Sequence, residues 1–225
     1  MQPVTDAERR APRRDAAENR ESLLTAAAAC LAESPDASLL TIAEAAGLTR
    51  RAVYGHFANR DELVLALISR GAERLNAVVV DPHLPASADD GDAPAAIARL
   101  AGRLWHAVEH VRVLAAMAVQ APYIDQVALA LAPVRAALLD LVERGAAAGT
   151  VRGDIPPALL ARLIERAAIA VLLEAAAERV AAGDGRRLAM LAVLSTAGLD
   201  WRAAGAVADA QPAAEPEAQH EPEAA

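Results

Sequence analysis

Residues 38–57 read SLLTIAEAAGLTRRAVYGHF, and the spacing of their residue types sets a short helix, a glycine turn and a second short helix. Ser38 supplies a hydroxyl to cap the free backbone N–H groups of the first helix. Gly47 ends that helix, because glycine takes a left-handed backbone conformation without steric cost. Thr49 caps the second helix, which runs to about His56. Leu39, Ile42, Leu48 and Val53 can meet in a small shared core, and Ala43 and Ala46 let the two helices approach closely. Thr49, Arg50, Arg51 and Tyr54 are left on the exposed start of the second helix. This is the helix-turn-helix layout, whose second helix offers that end to the DNA major groove. Arginine there suits both bidentate pairing with guanine and charged contact with phosphate.

The flanks continue in helical period. From Asn19 onward Leu23, Leu24, Ala27 and Leu31 recur at spacings of three and four, and Ser34-Pro35-Asp36 stops that helix. Asn59 caps a fourth helix, with Asp61 and Glu62 in its first turn, where the helix dipole favours anions; Leu63, Leu67 and Ile68 form its buried stripe. Residues 1–17 are polar and arginine-rich and read as a flexible arm, whose Arg9, Arg10, Arg13 and Arg14 suit the minor groove or no contact at all. Residues 81–94 read as a loop. Further helical patterns cover about 94–118, 124–148, 156–182 and 185–204, and the tail from Val207 has no periodicity and reads as disordered. No strand is expected. The fold class is therefore all-α, with a three-helix helix-turn-helix domain at 18–66, a helical domain at 67–206 and a disordered tail at 207–225.

Composition agrees with closely packed helices. Hydrophobic residues make up 55% of the 225-residue chain but aromatics only 2%, and the β-branched and aromatic residues that sheets prefer are scarce. The formal net charge of −8 excludes a protein that coats nucleic acid over its whole surface. The charge is uneven: residues 1–70 hold nine Arg against ten acidic groups, and the remainder thirteen against twenty. All 22 basic residues are arginine, which reads as a compositional bias. The single Cys30 allows no internal disulfide and suits a reducing compartment. No secretory leader and no apolar run of membrane-spanning length is read, so a cytoplasmic location without membrane association is expected.

The first seventy residues resemble the DNA-binding domain of the TetR family of repressors. The matching elements are RESLLTAA (20–27), IAEAAGLT (42–49), YGHF (54–57) and NRDEL (59–63). The resemblance implies that Phe57 packs between helices one, three and four, that Tyr54 and His56 contact phosphates, and that Arg60 faces phosphate from the start of helix four. With Ser38, Thr49, Arg50 and Arg51 these make up the expected DNA-binding set. Two positions depart from the family pattern: Pro35 stands where glycine is usual, and Arg51 at a position often held by glycine.

The resemblance also implies a C-terminal domain that dimerises and holds an inducer, with a stretch at 146–164 of family-like character. Independently, Leu160, Leu163, Ile164, Ala167, Ala168, Val171, Leu172 and Ala175 form one apolar stripe, and Leu188, Leu191, Ala192, Leu194, Ser195, Gly198 and Leu199 another. Two such helices can form a four-helix interface across a two-fold axis, although burial within one chain gives the same pattern. A homodimer through the last two long helices would read a palindromic double-stranded operator. The large or polar residues Trp105, His106, Glu109, His110, Met117, Gln120, Tyr123 and Trp201 are candidates to line a pocket for a small, mainly apolar inducer, or simply to fill core. His106 and His110 have an i, i+4 spacing that suits a metal, but no third ligand stands near, and neither metal nor cofactor is expected. Two alternatives remain: an all-α enzyme using His106, Glu109 and His110 as acid and base, and a purely structural helical dimer. No nucleophile elbow, phosphate loop or CxxC pair supports catalysis, so no catalytic residue is expected.

Overall fold

The computed structural model describes residues 6–80, 92–181 and 183–212. All regular structure among them is helical: α1 (Asp6–Glu33), α2 (Leu39–Ala45), α3 (Arg50–His56), α4 (Arg60–Val80), α5 (Ala93–Val108), α6 (Arg112–Ala118), α7 (Ile124–Ala130), α8 (Ala132–Ala148), α9 (Pro157–Ala176), α10 (Gly185–Thr196) and α11 (Trp201–Asp209). A single 3₁₀ turn at Glu109–Val111 separates α5 from α6.

The chain divides into two compact units. One takes the described residues up to Ala77 together with Val111–Pro133, the other Val78–His110 and the described residues from Val134. In the first unit the three-and-four spacing on α1 becomes a buried stripe of Leu23, Leu24, Ala27 and Leu31, facing Ile42 and Ala43 of α2, Val53 of α3, and Leu63, Val64 and Ile68 of α4. Phe57 closes this core, 2% exposed. Each leucine, isoleucine, valine or phenylalanine of this core contributes about 1.5–3 kcal/mol by leaving water, which is how helices as short as α2 and α3 persist. Tyr123 and Val127 join the same core. The helix-turn-helix core thus draws on a segment well beyond residue 66.

The second unit packs α5, α8, α9, α10 and α11. Ile97, Ala98 and Leu100 meet Leu138 and Val142, Leu160 and Ile164, Met190, Val193 and Leu194, with Ala204 and Ala208 of α11 sealing the cluster. The abundance of alanine is used here: small faces let helices approach closely, and few large side chains are needed to fill the space.

Several boundaries depart from the sequence reading. α1 begins at Asp6 and takes in most of the segment expected as an arm; its alanine, arginine and glutamate are strong helix formers even without an apolar stripe. The side chains of Arg9, Arg10, Arg13 and Arg14 lie outside the described residues, as do residues 81–91 of the expected loop and 213–225 of the expected tail. The pattern at 94–118 is interrupted by the 3₁₀ turn, and that at 124–148 at Leu131, after which Pro133 sits in the first turn of α8, where its missing N–H costs nothing. The helix expected to reach residue 182 stops at Ala176, with Glu178 in the left-handed region at φ 58°. The pattern at 185–204 breaks at Gly198, φ 108°, and Asp200 then caps α11 by accepting from the Arg202 and Ala203 N–H groups. α11 runs to Asp209, past the expected start of the tail.

Candidate nucleic-acid interface

Four side chains build the local frame of α2, α3 and α4. Ser38 Oγ accepts from the Thr41 N–H at 3.1 Å and lies 2.8 Å from Thr41 Oγ1. Thr49 Oγ1 accepts from the Ala52 N–H at 3.2 Å. At α4, Asn59 Oδ1 accepts from the Glu62 N–H at 2.9 Å, while Glu62 Oε2 reaches back to accept from the N–H of Ala58, the residue before the cap, at 2.6 Å. The Ser38, Thr49 and Asn59 caps each satisfy a donor that the first turn of a helix leaves unpaired. Between α2 and α3, Gly47 turns at φ 68°, and the Leu48 N–H returns to the Ala43 carbonyl at 2.9 Å.

On this frame Val53 points into the core and the polar residues of α3 point out. Thr49, Arg50 and Arg51 are exposed, Tyr54 is 46% exposed, and His56 is half-buried. The Arg50 guanidinium lies 5.7 Å from the centre of the Tyr54 ring, a cation–π contact that holds the two side chains together. From Ala45 to Arg60 the chain carries no acidic residue and three arginines. An overall acidic protein thereby presents one locally cationic, hydrogen-bonding ridge, the electrostatic requirement for approaching phosphate. Gly55, on the same short helix, has no heavy atom within 4 Å of where a Cβ would stand. The ridge therefore includes a stretch of bare backbone.

Phe57 packs as the resemblance implies, and the Arg20 guanidinium lies 5.2 Å from its ring centre. Arg60 is placed differently from expectation. Its Nε donates to the Ala37 carbonyl at 3.1 Å, and its Nη2 donates to the Pro35 carbonyl. The guanidinium is thus engaged by the connection between α1 and α2. The sequence reading also missed Asp61 as a partner: Tyr123 donates its hydroxyl proton to Asp61 Oδ1 at 3.0 Å. Burial, and then the Asp61 carboxylate, push the Tyr123 phenol above its usual value.

The candidate inducer residues fall in both units. Met117, Gln120 and Tyr123 belong to the first, where Met117 packs against the helix-turn-helix core and Gln120 Nε2 donates to the Ala116 carbonyl at 3.0 Å. Trp105, His106, Glu109 and His110 belong to the second. Trp105 is buried against Gly185, while His106 Nδ1 lies 3.0 Å from Glu109 Oε1 and His110 is exposed. Among the described residues no three His, Cys, Asp or Glu side chains gather as a metal site. No described helix is long and apolar enough to cross a membrane.

Comparison with known proteins agrees with this geometry. Residues 23–67 match the sequence model of the family described as bacterial regulatory proteins, tetR family. No curated protein sequence matches the chain. Among solved structures, the fatty acid degradation regulator FadR from Bacillus halodurans superposes with a TM-score of 0.65 at 16% identity, over 80% of this chain and 95% of that one. FadR from Bacillus subtilis, in complex with stearoyl-CoA, gives 0.64 at 12% identity over 79% and 97%. The TetR-like regulator LfrR from Mycobacterium smegmatis, in complex with proflavine, gives 0.56 at 23% identity over 79% and 95%. These likenesses extend the shared fold well beyond the helix-turn-helix, while the residues of that motif carry the family signature. Residues 23–67, which hold the helix-turn-helix, carry the signature of the tetR family of bacterial regulatory proteins.

Proposed function

We propose that the protein is a dimeric, ligand-responsive repressor that binds a palindromic operator through α2 and α3. The observation that carries this reading is the exposed ridge of Thr49, Arg50, Arg51 and Tyr54, held on a helix whose opposite side is anchored by Val53 and Phe57. Arg50 and Arg51 read base edges or phosphate, Tyr54 and His56 hold phosphate, and the caps Ser38 and Thr49 add hydroxyl contacts at the helix starts.

One such head makes few contacts, so a two-fold pair is needed for a useful specificity ratio. The dimer face we assign is that of α9 and α10. Leu160, Ile164 and Leu172 of α9 are buried within the chain, whereas Leu159, Leu163 and Leu188 are 36–41% exposed and remain for a partner. The inducer is a small molecule with a large apolar part. Stearoyl-CoA and proflavine, held by FadR and LfrR, share that character. It acts by binding one dimer geometry more tightly than the other; equal affinity for both would leave the operator occupied.

A genomic binding selection with purified protein, followed by gel shift on the recovered duplex, tests the reading. Arg50→Ala with Tyr54→Ala should abolish the shift, and sedimentation should give a dimer. A protein that retains no duplex at low salt, where phosphate contacts are strongest, overturns it.

A further inference from the structure

The position of Arg60 carries an inference that rests on the DNA-binding reading and refines it. Arg60 is the first residue of α4, at the end of the helix where the dipole disfavours a cation. Its side chain turns back along the chain instead of outward, giving one N–H to the Ala37 carbonyl at 3.1 Å and another to the Pro35 carbonyl. Those carbonyls belong to the connection between α1 and α2, and Ala37 directly precedes Ser38, the cap of α2. The same side chain is half-buried, unlike the exposed Arg50 and Arg51. The adjoining Asp61 is held in turn by Tyr123, so the first turn of α4 is tied on both sides.

We propose that Arg60 is a positioning residue, a clasp between α4 and the start of the helix-turn-helix, and that it makes no phosphate contact of its own. Its planar fork reaches two carbonyls at once, which a lysine ammonium on a flexible stem does not reproduce. Fixing the entry to α2 fixes the angle at which α3 meets the groove, and the contribution of Arg60 to binding passes through Thr49, Arg50, Arg51 and Tyr54.

Salt dependence separates this role from that of a phosphate anchor. The probe is a duplex enriched from a random pool by the full-length wild-type protein, with a scrambled duplex for comparison. An anchor replaced by lysine keeps its charge, so Arg60→Lys would then bind as the wild type, and Arg60→Ala would lower the slope of log affinity against log salt by about 0.9. A clasp behaves otherwise. Arg60→Lys, the variant that keeps charge and stem and is the milder for folding, should lose about ten-fold in affinity for the enriched duplex, as expected for one lost charge-assisted hydrogen bond. It should keep the wild-type salt slope and the affinity for the scrambled duplex, and circular dichroism should report unchanged helix content. Arg51→Ala should instead lower the slope. Wild-type affinity in Arg60→Lys, or a reduced slope in Arg60→Ala, overturns the clasp while leaving DNA binding intact. A wild-type protein that enriches no duplex overturns the DNA-binding reading and the clasp with it.

Discussion

The Tyr123 hydroxyl donates to the Asp61 carboxylate at 3.0 Å, across 62 positions of sequence. Tyr123 is only 7% exposed and packs among Val127 and the core residues of α1 to α4, so its hydroxyl needs a partner and Asp61 supplies one. Tyr123→Phe should destabilise the protein by about 1.5–3 kcal/mol, the usual worth of a hydrogen bond to a charged group, read as a lower urea midpoint with an unchanged slope.

The same pair sets a pH dependence. The phenol is raised above its ordinary value of 10.0, first by burial and then by Asp61. The folded state therefore binds this proton more tightly than the unfolded state. Its stabilising contribution is complete below pH 10.0 and declines as pH rises through the higher folded value. Tyr123→Phe should lack that part of the alkaline decline. Superimposable alkaline profiles for the two proteins would separate the phenol from stability.

Gly55 sits inside α3 with open space around its missing Cβ. Alanine there should stabilise the free protein by about 0.5–1 kcal/mol, because glycine loses more backbone entropy in a helix. If DNA backbone approaches this bare stretch, the same change should weaken duplex binding. Thermal unfolding and gel shift on one variant measure both. A lower melting temperature would contradict the open space seen here.

Arg50 and Arg51 place two cations in the first turn of α3, where the dipole is unfavourable to them. Arg50→Gln with Arg51→Gln should leave folding stability unchanged, or raise it by about 0.3–1 kcal/mol. Duplex affinity should fall, with a shallower salt slope by about 0.9 for each phosphate contact removed. Full affinity in the double variant would remove these residues from the interface.

Gly185 is a site where no larger residue fits: a Cβ there would stand 1.9 Å from Trp105 Cζ2. Gly185→Ala should displace the indole and cost about 1–3 kcal/mol by overpacking. The displacement is visible as a red shift of Trp105 emission in a Trp201→Phe background, since Trp201 is 70% exposed and otherwise dominates the long-wavelength light. An unshifted spectrum would show that the site relaxes without moving Trp105.

The local devices of the helix-turn-helix were legible because each is written in a few adjacent residues. Ser38, Thr49 and Asn59 cap as their type and place suggest, and Gly47 turns where a left-handed residue is needed. The breaks at Leu131 and Gly198 were less legible, because an alanine-rich sequence keeps its apolar period across a kink. Long-range choices were not legible at all. Arg60 has the same chemistry whether it faces phosphate or the Pro35 carbonyl, and only the folded connection between α1 and α2 decides. Tyr123 likewise looked like a candidate for an apolar pocket, and its partnership with Asp61 depends on the return of residues 111–133 to the first unit.

That return has a consequence for how the helix-turn-helix unit can be transplanted. Its interior is sealed by two stretches of chain that are not contiguous, since Tyr123 and Val127 stand beside Phe57, Leu63 and Ile68 in one core. A recombination that exchanged only the first seventy residues would bring a foreign Asp61 environment to a resident Tyr123. A graft of the helix-turn-helix onto another scaffold therefore keeps its core only if residues 111–133 are carried across with it.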